Sequence, residues 1–260
     1  MSRLVLFMEY IRLGKSNLMI SRVAMGAMSL NKVASEEEAC NLLRSAYNQG
    51  INFFDTSRDK AESEELLGDS IGDIRSSVML ATKTSAQSGS EVLNDFETSL
   101  NVMHTDTIEL YQYCSNTFVP EKNGIDGIYK ALIGLKESKK VLAIGFVTED
   151  LDVAEKAINS GLYDTIQFPF SMLSPDETIQ LVKLCEENDV GFIAMQPLCG
   201  GVVDNVPLAY GFLAQFENVV PLWGVQSQQE LDQILYFADH PPVIDEKFHQ
   251  DVERIRQFFN

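Results

Sequence analysis

Three stretches decide the fold: VMLATKT at residues 78–84, TIELYQYC at 107–114 and VLAIGFVT at 141–148. Each is short, mostly apolar and rich in β-branched or aromatic residues. Runs that are apolar on both faces suit parallel strands covered by helices. Five similar runs begin at Asn52, Val23, Thr165, Val190 and Val219, with start-to-start spacings between 24 and 34 residues across the set. That spacing holds one strand, one crossover helix and two loops.

Helical patterns fill the intervals. Ser35 with Glu38 forms a capping box, and Ala39, Leu42, Leu43, Ala46 and Tyr47 make an apolar stripe that stops at Gly50. Ser174-Pro175-Asp176-Glu177 reads as a cap with Pro at the first helical position. Ala154, Ala157 and Ile158 mark a helix closing at Gly161, and Ser227 with Glu230 opens another. Eight strands, each followed by a helix, predict an α/β fold of the closed (β/α)8 TIM-barrel type. An open doubly wound sheet would carry a Gly-rich phosphate loop after its first strand, and Gly26-Ala27-Met28-Ser29 is not one. Met8 to Ile20, turning at Gly14-Lys15-Ser16-Asn17, reads as a hairpin plugging the barrel bottom, and Asp245 to Phe258 as an extra C-terminal helix. Residues 1–260 are expected to form one domain.

Composition narrows the function classes. Among 260 residues, 38 acids against 20 Lys plus Arg give a formal charge of −18. That balance argues against a phosphate-backbone partner, which wants a basic face, so no nucleic-acid partner is expected. The cysteines at 40, 114, 185 and 199 form no Cys-x-x-Cys pair, and the three histidines lack metal-ligand spacing. A reduced, cytoplasmic protein without a metal is the reading. Met1 to Leu6 lacks the apolar core of a signal peptide, and no run is long enough to span a membrane.

Active sites in such barrels lie at the C-terminal ends of the strands. Those ends carry Asp55-Thr56-Ser57, with Arg58, Asp59 and Lys60 following, then Lys83-Thr84, Cys114-Ser115-Asn116 and Thr148. Gln167, Gln196 and Gly224-Val225-Gln226-Ser227 complete the set. Each has a plainer alternative. Lys83 could simply reach solvent, Asp55 could cap a loop, and Cys114 could be a small core residue. Cys185 lies in a helix stripe and reads as packing, while Cys199 precedes two glycines in a loop.

From Met8 to Phe237 the sequence resembles the aldo/keto reductase superfamily. The segments that carry this are MEYIRLGKSNLMISRVAMG, GINFFDTS with SEELLG, LATKT, DTIELYQ and PLWGVQSQQEL. YDTIQFPF and VGFIAMQPLCGG are most similar to the branch whose members often carry an iron–sulfur segment after the barrel. No iron–sulfur cluster is expected within these 260 residues, which hold no cysteine cluster. The resemblance implies hydride transfer between NADP(H), or NAD(H), and a small-molecule carbonyl at the strand C-terminal face. It implies a tetrad of Asp, Tyr, Lys and His, in which Tyr protonates the alkoxide and His orients the carbonyl.

Asp55 and Lys83 match that tetrad, while Lys60 stands at the Tyr position and Cys114 at the His position. For the cofactor, the resemblance assigns Gln167 to the carboxamide, and Ser227 and Leu231 to the last loop and helix. Thr148, Gln196 and Gly224 fall at the corresponding strand ends, and Met195 occupies the place of the usual stacking aromatic. Gln226 stands where an arginine would hold a 2′-phosphate. Losing one charged phosphate contact costs about 1.5–3 kcal/mol.

Three chemistries stay open at this level. One is an atypical oxidoreductase with Lys60 as proton donor, its amine pKa lowered by Lys83. Another is a barrel repurposed for binding or regulation. The third is a lyase or isomerase using Lys60 or Lys83 as base or Schiff-base amine.

Overall fold

The computed structural model describes residues 8–259, so the reading of Met1 to Leu6 lies outside it. The chain opens with a hairpin of β1 (Tyr10–Arg12) and β2 (Met19–Ser21), paired antiparallel. Eight parallel strands follow and close into a barrel: β3 (Ala24–Gly26), β4 (Phe53–Asp55), β5 (Met79–Thr84), β6 (Ile108–Cys114), β7 (Val141–Val147), β8 (Thr165–Pro169), β9 (Gly191–Met195) and β10 (Val219–Trp223). The seam pairs Leu222 with Ala24 and Trp223 with Met25. Each run read from the sequence becomes a strand within a residue or two of its expected start.

Helices α1 (Glu36–Asn48), α2 (Ala61–Ile71), α3 (Gly89–Val102), α4 (Ile128–Glu137), α5 (Leu151–Asn159), α6 (Asp176–Glu187), α7 (Val206–Ala214) and α8 (Gln228–Asp239) surround the ring, and α9 (Glu246–Phe259) is appended. None is long and apolar enough to cross a membrane. The expected caps form: Ser35 Oγ accepts the Glu38 N–H at 3.2 Å, and Ser227 Oγ accepts that of Glu230 at 3.2 Å. Asp245 caps α9 by accepting the Phe248 N–H at 2.8 Å. One cap is shifted. Pro175, not Ser174, is the residue before α6, because Ser174 Oγ accepts the Ser171 N–H at 3.0 Å and serves the preceding turn.

The hairpin seals the barrel floor as anticipated. Leu13, Leu18 and Ile20 pack with Phe53, Ala81, Leu110, Ala143, Ile193 and Val220 inside the ring. Gly14 and Gly191 permit this contact. A Cβ on Gly14 would run into the Gly191 backbone, and one on Gly191 would come within 2.7 Å of the Leu13 side chain. Above this apolar floor the barrel interior turns polar, and that change of layer positions the site.

Candidate active site

The polar layer is built from strand ends whose side chains alternate inward. Asp55 is the last residue of β4 and is fully buried. Lys83 on β5 is 7% exposed. Its Nζ donates to Asp55 Oδ2 at 2.6 Å and to the Thr56 carbonyl at 2.7 Å. An ammonium carries three N–H donors, so these two bonds leave one over. Burial pushes the Asp55 carboxyl above its ordinary value; the Lys83 charge pulls it back first, then the hydrogen bonds from Lys83, Gln167 and Gln112.

Gln112 on β6 belongs to this cluster and was not singled out in the sequence. It is fully buried, and its Nε2 donates to Asp55 Oδ1 at 3.0 Å and to Gln167 Oε1 at 2.9 Å. Gln167, nearly fully buried on β8, points its own Nε2 at Asp55 Oδ2 across 3.5 Å. The signal available in the sequence was parity: Gln112 lies two residues before Cys114, on the same face of the strand.

Cys114 ends β6 half-buried, not in the core. Burial raises its thiol pKa; the Lys83 charge pulls it down, while Asp59 and Glu149 push it further up. A neutral thiol there is a weak donor, not a ready nucleophile.

Lys60 immediately precedes α2 and is exposed, and its side chain makes no hydrogen bond or ion pair to Asp55, Lys83 or any other group among the described residues. Arg58 pairs with the buried Glu64. Glu64 Oε1 also accepts from Thr82 Oγ1 at 2.7 Å and Ser99 Oγ at 2.7 Å. In the sequence Glu64 reads as one more acid in a helix's first turn.

The remaining expected positions lie just after the C-terminal ends of β7, β9 and β10. Thr148 is buried, donating to Asn116 Oδ1 at 2.9 Å and accepting the Asp150 N–H at 3.1 Å. Gln196 is exposed with a left-handed φ of 57°, and its amide reaches Glu149 Oε1 at 3.5 Å. Gly224 is exposed beside Ser29. Gln226 and Ser227 line a groove of about 290 Å³ with Val33, Glu38, Asn41, Leu42 and Gln228. Within it the Gln226 N–H donates to Glu230 Oε2 at 2.8 Å. The groove lining contains no cationic side chain, and it carries the Glu38 carboxylate. A larger hollow of about 400 Å³ lies outside the ring between α1 and α2, bordered by Cys40, Glu62 and Asp69, and holds none of these residues.

The aldo/keto reductase family profile matches residues 22–207, well over half the chain. The chain belongs to the aldo/keto reductase family. Among curated relatives it is 29% identical over 213 residues to the uncharacterized oxidoreductase YqkF of Bacillus subtilis, covering 76% of this chain and 67% of that one. It is 27% identical over 231 residues to the uncharacterized oxidoreductase YrpG of the same organism, covering 77% and 70%. The aligned part thus spans about two thirds of those relatives' length. Among solved structures, aldo-keto reductase AKR11C1 from Bacillus halodurans in its holo form superposes with a TM-score of 0.83, at 19% identity, over 95% of this chain and 96% of that one. That similarity bears on the fold: a (β/α)8 barrel with an N-terminal hairpin.

Proposed function

We propose that this family member is a carbonyl oxidoreductase in which Lys83, not a tyrosine, meets the carbonyl oxygen. The observation that carries the reading is the buried Lys83 ammonium, tied to Asp55 and Thr56 through two of its donors. The third N–H is what a carbonyl oxygen entering the mouth would accept. As negative charge develops on that oxygen, a preorganised cation in a water-poor site stabilises it. Lys83 then releases its proton to the oxygen and regains one from water at the mouth. Asp55 and the Thr56 carbonyl hold the ammonium in place between turnovers. Held in one direction by a carboxylate and a carbonyl, Lys83 is better arranged to donate a hydrogen bond than to form a Schiff base, which needs a free neutral amine.

For the cofactor, the residues fit a nicotinamide dinucleotide lacking the 2′-phosphate. By the resemblance Gln167 would meet the carboxamide, with Thr148 at the neighbouring strand end. At the far end the groove offers Gln226, Ser227 and Asn41 as neutral donors, and Glu38 would oppose a phosphate. Bound there, the reduced nicotinamide would supply the hydride. We therefore infer NAD(H) in preference to NADP(H), and a small-molecule carbonyl as substrate. Four free thiols suit the reducing cytoplasm.

A second reading, a ligand-binding barrel without turnover, is favoured by one observation. Lys60 and Cys114 occupy the donor and orienting positions, and the first of them faces solvent. One experiment separates the two. NADH and NADPH are titrated by nicotinamide fluorescence, and a panel of aldehydes and ketones is assayed for reduction. The expected results are NADH binding about tenfold tighter than NADPH and turnover that falls about a thousandfold in Lys83→Met. Binding without reduction selects the second reading, and binding of neither dinucleotide at millimolar levels removes both cofactor readings.

A further inference from the structure

Gln112 sits inside the cluster, yet the chemistry above gives it no part. Along β6, Leu110 joins the apolar floor, Tyr111 and Tyr113 pack outward beneath the helices, and Gln112 faces inward one layer higher. Turned over, its amide would present oxygen to Asp55 Oδ1 and Gln167 Oε1, both acceptors, so it has one workable orientation. Gln112 Oε1 is left without a hydrogen-bond partner among the described residues. A leucine would pack there without that cost. What glutamine adds is a pair of hydrogen bonds across the site.

The neighbouring strand is shaped to admit it. Gly145 stands beside Gln112 in register on β7. A Cβ at 145 would come within 2.9 Å of Gln112 Cγ and would collide with Thr165 Oγ1. The space for the amide therefore depends on this glycine.

We propose that Gln112 is a positioning residue that joins Gln167 to the Asp55–Lys83 pair in one hydrogen-bonded unit, so that a ligand engaging the Gln167 amide is felt at Lys83. The inference deepens the proposed function, where that ligand is the dinucleotide's carboxamide. Its logic is local. Gln112 donates to Asp55 and so favours the ionised carboxylate that holds Lys83. Gln167 accepts from the same Nε2, so movement of Gln167 pulls on the donor that Asp55 shares.

The test is a double-substitution cycle read by NMR of the Lys83 side-chain ammonium in 15N-lysine-labelled full-length protein, with the signal assigned by its loss in Lys83→Arg. Gln167→Met should shift the Lys83 signal in the natural background and leave it unmoved in a Gln112→Met background. Equal shifts in both backgrounds overturn the proposal, because the direct 3.5 Å contact from Gln167 to Asp55 then carries the effect. Gly145→Ala is the second variant, keeping every polar group while crowding Gln112, and carries the test alone should Gln112→Met not fold. It should move the Lys83 signal from its natural position, and an unmoved signal in folded Gly145→Ala overturns the proposal. If the natural protein reduces carbonyls, Gln112→Met should lower kcat about tenfold while KM for the carbonyl stays within about twofold. Loss in KM alone counts against positioning. A protein that binds no dinucleotide removes the proposed function but leaves the NMR cycle readable, so the two can fail separately.

Discussion

Two buried carboxylates, Asp55 and Glu64, lie on opposite sides of the same strand. Both are fully buried, and each is paired with a cation. Thr82 and Lys83 are adjacent in β5, and strand alternation sends them to opposite faces. Thr82 reaches outward to Glu64, and Lys83 reaches inward to Asp55. Around Glu64 the partners close completely, with two hydroxyls on Oε1 and Arg58 on Oε2. That set fastens α2 to β5 and α3. Around Asp55 the partners do not close, because Lys83 keeps a spare N–H and Gln112 a spare oxygen. The first carboxylate is a bracket between helix and sheet; the second leaves one Lys83 donor and one buried Gln112 acceptor unfilled.

The contrast can be broken by exchanging the outcomes. Glu64→Gln leaves Arg58 half-paired and should cost about 3 kcal/mol in urea unfolding, with dinucleotide affinity unchanged. Asp55→Asn should act on turnover, which falls about a hundredfold; it also leaves the buried Lys83 half-paired, at a similar cost of about 3 kcal/mol. A fall in turnover for Glu64→Gln as large as that for Asp55→Asn erases the distinction. Thr82→Val removes one donor to Glu64 and should cost about 1 kcal/mol without moving the Lys83 ammonium signal.

The smallest effect concerns the thiols. Cys185 is fully buried with its pKa pushed up to about 12, so iodoacetamide should leave it unmodified in the folded protein. Cys114 is half-buried and should react. Because its pKa is raised, the thiolate appears only as pH climbs past the ordinary thiol range, and the rate should still be rising there. A rate that levels off below that range would place a stronger positive field at the mouth than Lys83 supplies.

The reach of the sequence follows the same divide between local and distant. Strand–helix alternation, the caps at Ser35 and Ser227 and the hairpin at Gly14 depend on neighbours in the chain, so they were legible. Asp55 and Lys83 were legible because a strand end in a barrel has a known outlook. Gln112 and Glu64 were not, because their meaning comes from which face of the ring they meet. Gln112 reads as a polar interruption in an apolar run, and Glu64 as an ordinary helix acid. For Lys60 the resemblance gives a place beside Lys83, and the structure shows an exposed side chain just before α2 that makes no bond to that pair.

The seam between β10 and β3 has a consequence for synthesis. Leu222 meets Ala24 and Trp223 meets Met25, so the ring stays open until β10 has left the ribosome. Joining such distant segments adds little equilibrium cost, since loop-closure entropy grows only about 0.6 kcal/mol per doubling of length. The burden falls on time, because contacts far apart in sequence form slowly. Meanwhile β3 and β10 each expose an unpaired edge, the kind of surface on which nascent chains pair wrongly. Leu13 cannot settle against Gly191 before β9 exists, so the plug is among the last parts to seat. A hairpin made before any strand of the barrel therefore waits for nearly all of them.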